Sequence, residues 1–236
     1  MRVLVVGSCG KKKTSTNSNQ PTCTDIDEEH DINYWKKRLS SDCVQARDMY
    51  TGPQSSELVK AVDLLRAIPS VAVQLVIISA GFGILHEEDL VPPYDCSFTS
   101  MKMTKLRKQA KKLKIKESFI NLMENDFDLI YLALGKRYMA ALGEDVVSIL
   151  ETPTVAFHSL NPDCLIRIPC QAETMKSFSR RGHKIHGVVG FKGDLLRVLA
   201  QYALERRNPR NEVKKWMNLT YLQQLIYHLG GLGKPP

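Results

Sequence analysis

The chain has 236 residues, of which 43% are hydrophobic, and its formal net charge is +8 at pH 7. This length and apolar content predict one large α/β domain with a real core and exclude global disorder. No run approaches the roughly 20 apolar residues of a membrane span, and the N-terminus enters a strand without signal-peptide features, so a soluble, cytoplasmic protein is expected.

The first predicted element is a strand at residues 3–6, where four apolar residues follow one another. Such a run is typical of a parallel strand that is covered on both faces. The chain then turns into residues 7–13, which hold two glycines and three lysines. Ligand crevices of open parallel sheets lie at the carboxyl ends of the strands, so this turn predicts a binding loop, and a solvated basic loop is the alternative interpretation. The candidate binding residues are Gly7, Ser8, Cys9, Gly10, Lys11 and Lys12.

Six cysteines are scattered along the chain without a CxxC pair. This spacing fits neither a zinc site nor a small disulfide scaffold, so reduced thiols are predicted. Residues 14–33 form a long polar loop, and His30 lies among acids in its second half. The spacing of these acids is not that of a known ligand set. We therefore expect no metal and no cofactor.

Two helices are predicted before the second strand. A helix over residues 34–48 precedes the Gly-Pro pair at residues 52–53, which stops regular structure and places Asp48 and Tyr50 in a turn. A second helix, capped by one of two adjacent serines, runs over residues 55–68. Asp48 and Tyr50 are therefore candidate site residues.

Three further apolar strands are predicted at residues 73–79, 129–134 and 154–157. The first of them leads into small residues at 80–83, and two prolines keep residues 90–95 extended. Because the carboxyl ends of parallel strands meet at one edge of the sheet, polar residues near these ends are expected to converge. The candidate site residues here are Ser79, Gly81, Phe82, Tyr94, Asp95, Gly135, Lys136, His158 and Ser159.

The positive charge is clustered in two segments. Residues 102–116 are predicted to open a helix that continues through residues 119–123, and they hold eight lysines and arginines before the first acid at residue 117. A solvated helix face would normally include glutamates for i,i+4 pairing, so a surface that contacts phosphates is favoured. Residues 179–192 are also basic and glycine-rich. The candidate phosphate-binding residues are Lys105, Lys108, Lys111, Lys112, Arg180, Arg181, His183 and Lys184.

Strand–helix alternation through four apolar strands predicts a three-layer α/β/α fold with a central, mainly parallel four-stranded sheet. Two helices are predicted at the C-terminus, over residues 193–207 and 212–229. We therefore predict a single α/β catalytic domain at residues 1–207 and a helical extension at residues 208–236 that packs on it.

The predicted sheet edge combines carboxylates, a histidine and several cations. This mixture suits cleavage of a glycosidic bond, in which Asp48 or Asp95 would assist water or the sugar cation and His158 would stabilise the leaving group. Phosphoryl transfer would require Mg²⁺ ligands, and no convincing set is present. A serine hydrolase would require a G-x-S-x-G elbow, which the sequence lacks.

Residues 5–13, 46–53, 78–85 and 93–95 resemble successive signatures of a bacterial and phage family that includes the DUF6884 proteins and is distantly similar to YaaA. The order of the later elements resembles uracil-DNA glycosylases, with Gly135-Lys136 and His158-Ser159 at the matching places. The first loop lacks the Asp-Pro-Tyr of those enzymes, and the loop after the fourth strand lacks their His-Pro-Ser-Pro-Leu-Ser run. Uracil is therefore not the expected substrate.

This resemblance implies a DNA N-glycosylase with a uracil-DNA-glycosylase-like fold, which excises a modified base, such as a hypermodified pyrimidine, in anti-phage defence. DNA is then the expected partner, and no membrane contact is expected. The base would be flipped into the site and stacked on an aromatic side chain. The candidates for stacking are Tyr50, Phe82, Tyr94 and Phe157, and Asp48 is preferred over Asp95 as the catalytic carboxylate.

Two alternatives remain open at the level of the sequence. The first is a non-catalytic, YaaA-like DNA-binding stress protein that uses the same basic surfaces. The second is a nucleotide or nucleoside hydrolase or transferase, in which the loop at residues 7–13 would hold a small phosphate.

Overall fold

The structure is a computed structural model that describes residues 1–143, 145–146, 150–158 and 165–233. In this part of the chain, eight strands and ten α-helices are present. The strands are β1 (Arg2–Ser8), β2 (Val44–Gln45), β3 (Ala72–Ser79), β4 (Gly83–His86), β5 (Leu90–Val91), β6 (Leu129–Leu132), β7 (Thr154–Ala156) and β8 (Leu165–Arg167). The helices are α1 (Ile32–Arg38), α2 (Ala46–Met49), α3 (Pro53–Arg66), α4 (Met103–Lys112), α5 (Ile115–Met123), α6 (Lys136–Leu142), α7 (Ala172–Arg180), α8 (Gly187–Leu204), α9 (Pro209–Lys215) and α10 (Leu219–Gly230).

The central sheet has the strand order β4-β3-β1-β6-β7-β8, and all neighbours are parallel except the antiparallel pair β3–β4. The predicted mainly parallel sheet in a three-layer α/β/α fold is therefore confirmed. The predicted number of four strands is wrong, because six strands are present in the described residues. The two additional strands, β4 and β8, are short and only half buried, so neither appears in the sequence as a continuous apolar run.

β1 lies in the middle of the sheet, and its side chains divide between two cores. Val3 and Val5 belong to the core formed with α3, α7, α8 and the C-terminal helices. Leu4 and Val6 face the opposite core, which includes residues of α4, α5 and α6. Burial on both faces explains why the strand reads as an unbroken apolar run. The C-terminal helices α9 and α10 share the first of these cores.

Three predicted helices differ from those observed. The helix over residues 34–48 is wrong as a single element, because α1 ends at Arg38 and β2 then pairs with β5. α3 begins at Pro53, whose missing N–H is not required in the first turn, rather than at a serine cap. The basic helix breaks at Lys114, which has a left-handed backbone, so α4 and α5 are separate.

The C-terminal boundaries also differ. α8 begins at Gly187, six positions before the predicted start, and α9 and α10 replace one helix over residues 212–229. Asn218 caps α10 by accepting from the backbone N–H of Tyr221, which starts a new helix there. None of the helices in the described ranges combines the length and the apolarity that a membrane crossing requires.

The expectation of reduced cysteines is wrong for one pair, because Cys23 and Cys96 form a disulfide. It fixes the polar loop at residues 14–31 to the segment after β5. Backbone contacts add to this connection, since the N–H of Asp95 donates to the carbonyl of Pro21 at 2.8 Å. Sequence spacing alone gives no sign of a pair 73 residues apart. Of the other predicted thiols, Cys164 lies outside the described residues.

Removing this disulfide is expected to destabilise the protein. We expect Cys96→Ser to lower the free energy of unfolding by about 2 to 4 kcal/mol, because the unfolded chain loses a long-range constraint. Urea denaturation with and without dithiothreitol measures this effect. Cys43→Ser, which replaces a free, partly exposed cysteine, is the matched control. An equal effect of the reductant on the wild type and on Cys96→Ser would contradict the prediction.

Candidate functional site

The strand order creates a crevice between β1 and β6. The five parallel strands lie in the order β3-β1-β6-β7-β8. From β1 the chain continues to β3 on one side, whereas from β6 it continues to β7 and β8 on the other side. At such a switch point, the connections that leave the carboxyl ends of the strands diverge and open a space for a ligand. A cavity of about 440 Å³ lies there. We call it the switch-point cavity.

Five parts of the chain line the switch-point cavity. Residues 8–12 follow β1, and residues 52–55 form the start of α3. Gly135 and Tyr138 come from the start of α6, close to the end of β6. The remaining lining residues are Thr99, Val188, Val189 and Lys192. The predicted residues Ser8, Cys9, Gly10, Lys11, Lys12 and Gly135 are thus brought together.

Gln54 is held rigidly at one wall of the cavity. Its side-chain N–H group donates to the carbonyl of Ala133 at 2.9 Å and to the hydroxyl of Ser8 at 3.1 Å. These two bonds connect α3 with the ends of β1 and β6. No described residue donates to the Gln54 Oε1 atom, so this oxygen is available to a water or substrate N–H in the cavity.

The Tyr138 side chain anchors the loop that follows β1. Its hydroxyl donates to the carbonyl of Cys9 at 2.8 Å and lies 3.0 Å from the Cys9 Sγ atom. Burial raises the pKa of Tyr138, so the phenol remains neutral and keeps its proton for these contacts. The Cys9 thiol also accepts from the backbone N–H of Ala80 at 3.4 Å. The backbone at Cys9 is therefore fixed, and Lys11 and Lys12 follow it closely in the chain.

The cavity is positively charged. Three lysines line it, and no carboxylate lies among the described lining residues. Lys11 and Lys12 are exposed, whereas Lys192 is only 6% exposed. Burial lowers the pKa of Lys192, because its charged form loses hydration and no acid in the described residues pairs with it. This arrangement favours an anionic ligand.

His158 lies two residues after β7 and is not among the residues that line the switch-point cavity. Partial burial lowers its pKa, and the positive charge of Lys192 lowers it further, with smaller contributions from Arg167 and Lys136. Because the ordinary pKa of histidine is about 6.5, the imidazole is neutral at pH 7 and can accept a proton. Lys136 itself is exposed at the first turn of α6. Ser159 lies outside the described residues.

The two predicted catalytic carboxylates do not line the cavity. Asp48 is exposed on α2, because that short helix buries Ala46 and Met49 instead. Asp95 is also exposed, and its charge acts on Lys13. Burial lowers the pKa of Lys13, and Cys9 and Asp95 oppose that shift. The predicted turn at Asp48 is wrong, because this residue lies on the short helix α2, and Asp95 lies in the segment after β5 with its side chain exposed.

The predicted stacking residues belong to the core rather than to the cavity. The hydroxyl of Tyr94 lies 2.8 Å from that of Tyr50 and 2.8 Å from that of Ser79. Burial raises the pKa of both tyrosines far above the usual range. Phe82 packs edge-on against Tyr94, and Phe157 is 2% exposed. Stacking of a base on Tyr50, Tyr94 or Phe157 would require the core to open, whereas Phe82 is partly exposed but does not line the cavity.

Three more predicted binding residues have structural roles. The Ser79 hydroxyl accepts from the backbone N–H groups of Gly81 and Phe82, which shapes the turn after β3. Gly81 packs so closely on Tyr94 that an added Cβ would lie 3.0 Å from that ring. Gly7 is buried within β1. None of the three lines the switch-point cavity.

The sequence did not reveal Gln54, Tyr138 or the valine pair at residues 188–189 as site residues, and it placed Lys192 only at the end of a basic segment expected to contact phosphates. All of them lie on helices, whereas the prediction considered strand ends and loops. The Gly-Pro pair at residues 52–53 is the one available signal, since it starts α3 at the cavity. The position of α8 depends on tertiary packing, which the sequence pattern does not express.

α4 presents an exposed basic face. Its buried side consists of Leu106, Gln109 and Ala110, which leaves its lysines on the surface. Within the described residues, no acid pairs with the predicted phosphate-binding residues Lys105, Lys108 or Lys111. Lys112 differs, because its ammonium group donates to the carbonyl of Ile26 at 2.8 Å. We call the first three side chains the α4 basic face.

The second predicted basic segment is only partly available. Arg180, Arg181 and Lys184 are exposed, but a His183 ring nitrogen lies 3.2 Å from the carbonyl of Leu229. This histidine therefore contributes to the packing of α10. The other three side chains remain candidates for phosphate contacts.

A charged cluster supports the start of α8. The His186 Nδ1 atom lies 2.7 Å from the buried Asp194 carboxylate, and Glu57 provides a third potential metal-ligand atom within 4.8 Å. Arg197 pairs with Glu57 and lies 3.8 Å from Asp194, and Lys60 also contacts Glu57. These cations already balance the two carboxylates. The cluster fits a structural role better than a metal centre.

The chain was compared with known protein families, curated proteins and solved structures. No protein-family model matches the chain, and no curated protein or solved structure matches it significantly. The resemblance to the DUF6884/YaaA-like family therefore stays a prediction.

Proposed function

We propose that the protein binds nucleic acid, places one nucleotide in the switch-point cavity and hydrolyses its N-glycosidic bond. The observation that supports this proposal is a cavity of about 440 Å³ that combines three lysines with uncharged polar groups. This volume is within the usual range for small-molecule sites, and the charge suits a phosphate-bearing ligand.

The α4 basic face extends this positive region. Thr99 lines the cavity, and α4 begins four residues later at Met103. Arg137, at the first turn of α6, donates to the carbonyls of Phe98 and Met101 and fixes this connection. Phosphates next to the bound nucleotide would therefore meet the exposed lysines of α4. This arrangement favours a polymer over an isolated nucleotide.

The side chains in and near the cavity are suited to promote the loss of a nucleobase from its sugar. When water attacks C1′, the C1′–N bond breaks and the base leaves with the bonding electron pair. The ammonium groups of Lys11 and Lys12 would stabilise this negative charge. Gln54 Oε1 would orient the water, whose oxygen bonds to C1′. One water proton would pass to the neutral His158, directly or through a second water, and the base would take up a proton from solvent. These roles replace those expected for Asp48 and Asp95.

The proposed substrate is DNA with a modified pyrimidine, as the resemblance to anti-phage glycosylases implies. Val188 and Val189 at the cavity rim support this choice, because they are 52% and 71% exposed. An apolar rim that is open to solvent leaves space for a bulky substituent on the base. It also offers that substituent a surface on which to pack.

Base release is the direct test of the proposed reaction. Plain, uracil-containing and phage-modified DNA are incubated with the protein and then treated with alkali, which breaks abasic sites. We expect strand breaks only with a modified DNA. Gln54→Leu should reduce the rate by about 100-fold, because it removes the group that orients water.

Gln74→Leu is the matched control for this experiment. Gln74 is partly buried on β3, its side chain contacts His86, and it does not line the cavity. We expect this variant to retain the wild-type rate. Firm DNA binding without breaks in any substrate would contradict the glycosylase and favour the non-catalytic DNA-binding protein.

Neutralising the α4 basic face is expected to weaken DNA binding at all sequences. Lys105→Gln, Lys108→Gln and Lys111→Gln, combined, should reduce the slope of log K against log salt by about 2 to 3, since each lost phosphate contact removes about 0.7 to 0.9. Fluorescence anisotropy at several salt concentrations measures the slope.

The control removes three exposed charges elsewhere, with Arg207→Gln, Arg210→Gln and Lys214→Gln combined. It has the same net charge as the α4 variant, so an equal loss in both variants would contradict a specific phosphate surface on α4.

The lysines of the cavity favour a second candidate function. A nucleotide or nucleoside hydrolase or transferase would use Lys11 and Lys12 to hold a small phosphate. Mononucleotide binding that is unaffected by the α4 variant, together with an absence of DNA binding, would favour this candidate.

A further inference from the structure

We propose that Lys192 forms a Schiff base with the aldehyde of an abasic site, so that the switch-point cavity also cleaves the sugar–phosphate backbone. This inference rests on the proposed function in one respect, which is that the cavity takes up a nucleotide unit of DNA. It adds a second reaction, a lyase step, and names the residue that performs it.

Lys192 differs from the other lysines of the cavity. It lies on the second turn of α8 and is 6% exposed, whereas Lys11 and Lys12 are exposed. Its Nζ atom lies 5.9 Å from the centre of the Phe157 ring. No carboxylate among the described residues forms an ion pair with it. A buried lysine amine at a cavity wall, with an aromatic neighbour, no carboxylate partner and, among the described residues, only the Cys170 thiol as a nearby acidic group, is suited to act as a nucleophile.

Burial gives the amine its reactivity. A lysine attacks a carbonyl only as the neutral amine, and loss of hydration favours that form. The lowered pKa of Lys192 has this cause. Lys60, in contrast, forms an ion pair with Glu57 at 2.7 Å. The cavity therefore holds one lysine suited to attack and two suited to bind phosphates.

The backbone of Lys192 is fixed at the cavity wall. The Tyr131 hydroxyl donates to its carbonyl at 2.6 Å. The next residue, Gly193, packs so tightly on α3 that an added Cβ would clash with the backbone oxygen of Gln54. The amine of Lys192 and the amide of Gln54 consequently face the same cavity. An abasic sugar between them would meet both a nucleophile and a hydrogen-bonding group.

The proposed step balances without an oxidant or a reductant. The neutral Nζ amine adds to the C1′ aldehyde of the open abasic sugar, and the adduct takes up one proton from solvent and releases water, which gives an iminium ion. A base removes a proton from C2′, and the C3′–O bond breaks so that the phosphate leaves with the bonding electron pair. The neutral His158, which lies close enough to Lys192 for that charge to act on it, is a candidate for this base. Water then hydrolyses the iminium, which restores the amine and releases an unsaturated aldehyde.

Reductive trapping tests the proposal on DNA that already contains an abasic site. The protein is incubated with a radiolabelled abasic oligonucleotide and sodium cyanoborohydride, which reduces an iminium to a stable amine. We expect a covalent one-to-one complex on a denaturing gel. Peptide mapping by mass spectrometry should place the cross-link on Lys192.

Two variants refine this test. Lys192→Met should reduce trapping to background, and its apolar side chain suits the buried position. Lys214→Gln, which replaces an exposed lysine on α9, should trap as well as the wild type. Thermal melting of each variant shows whether it is folded. The mapping of the wild-type cross-link does not depend on either variant.

The outcomes separate this proposal from the proposed function, because the abasic site is supplied in advance. Trapping at Lys192 without base release from any DNA would support the lyase and contradict the glycosylase. Base release without trapping would support the glycosylase and overturn the lyase. A cross-link that maps to another amine would also overturn it.

Discussion

The close contact between α3 and α8 determines where the groups of the cavity lie. Gly193 allows this contact, because an added Cβ would clash with the backbone oxygen of Gln54 and lie 3.1 Å from the Cβ of Glu57. Gly190, one turn earlier, approaches Pro53 in a similar way. Two helices that start at the same end of the sheet thereby bring Gln54 and Lys192 to one cavity. Without this contact, the strand ends would provide backbone and exposed lysines but no enclosed wall.

The second determinant of the site is the difference in charge pairing between the cavity and the rest of the protein. Away from the cavity, buried acids have cationic partners; for example, Glu87 accepts from Arg47 at 3.1 Å. At the cavity, Lys11, Lys12 and Lys192 have no acidic partner among the described residues. Because Lys11 and Lys12 are exposed and hydrated and the buried Lys192 has no carboxylate partner in the described ranges, the positive potential at the cavity can attract an anionic ligand. This asymmetry is the physical reason for proposing a phosphate-bearing substrate.

Much of the fold could be predicted from the sequence, because strands buried on both faces appear as continuous apolar runs. The short strands β4 and β8 could not, since neither has such a run. Within the site, the loop after β1 was recognisable by its glycines and lysines. Gln54 and Lys192 were not, because they meet through the packing of distant helices. Asp48 was assigned by its loop position, but α2 buries Ala46 and Met49 and turns this carboxylate to solvent.

A crystal structure with a short single-stranded oligonucleotide would test the central claim most directly. We expect one nucleotide in the switch-point cavity, with a phosphate oxygen within hydrogen-bond distance of the Lys11 or Lys12 ammonium group and the sugar against Lys192. An oligonucleotide bound on another surface, with the cavity empty, would contradict the claim that this cavity is the functional site.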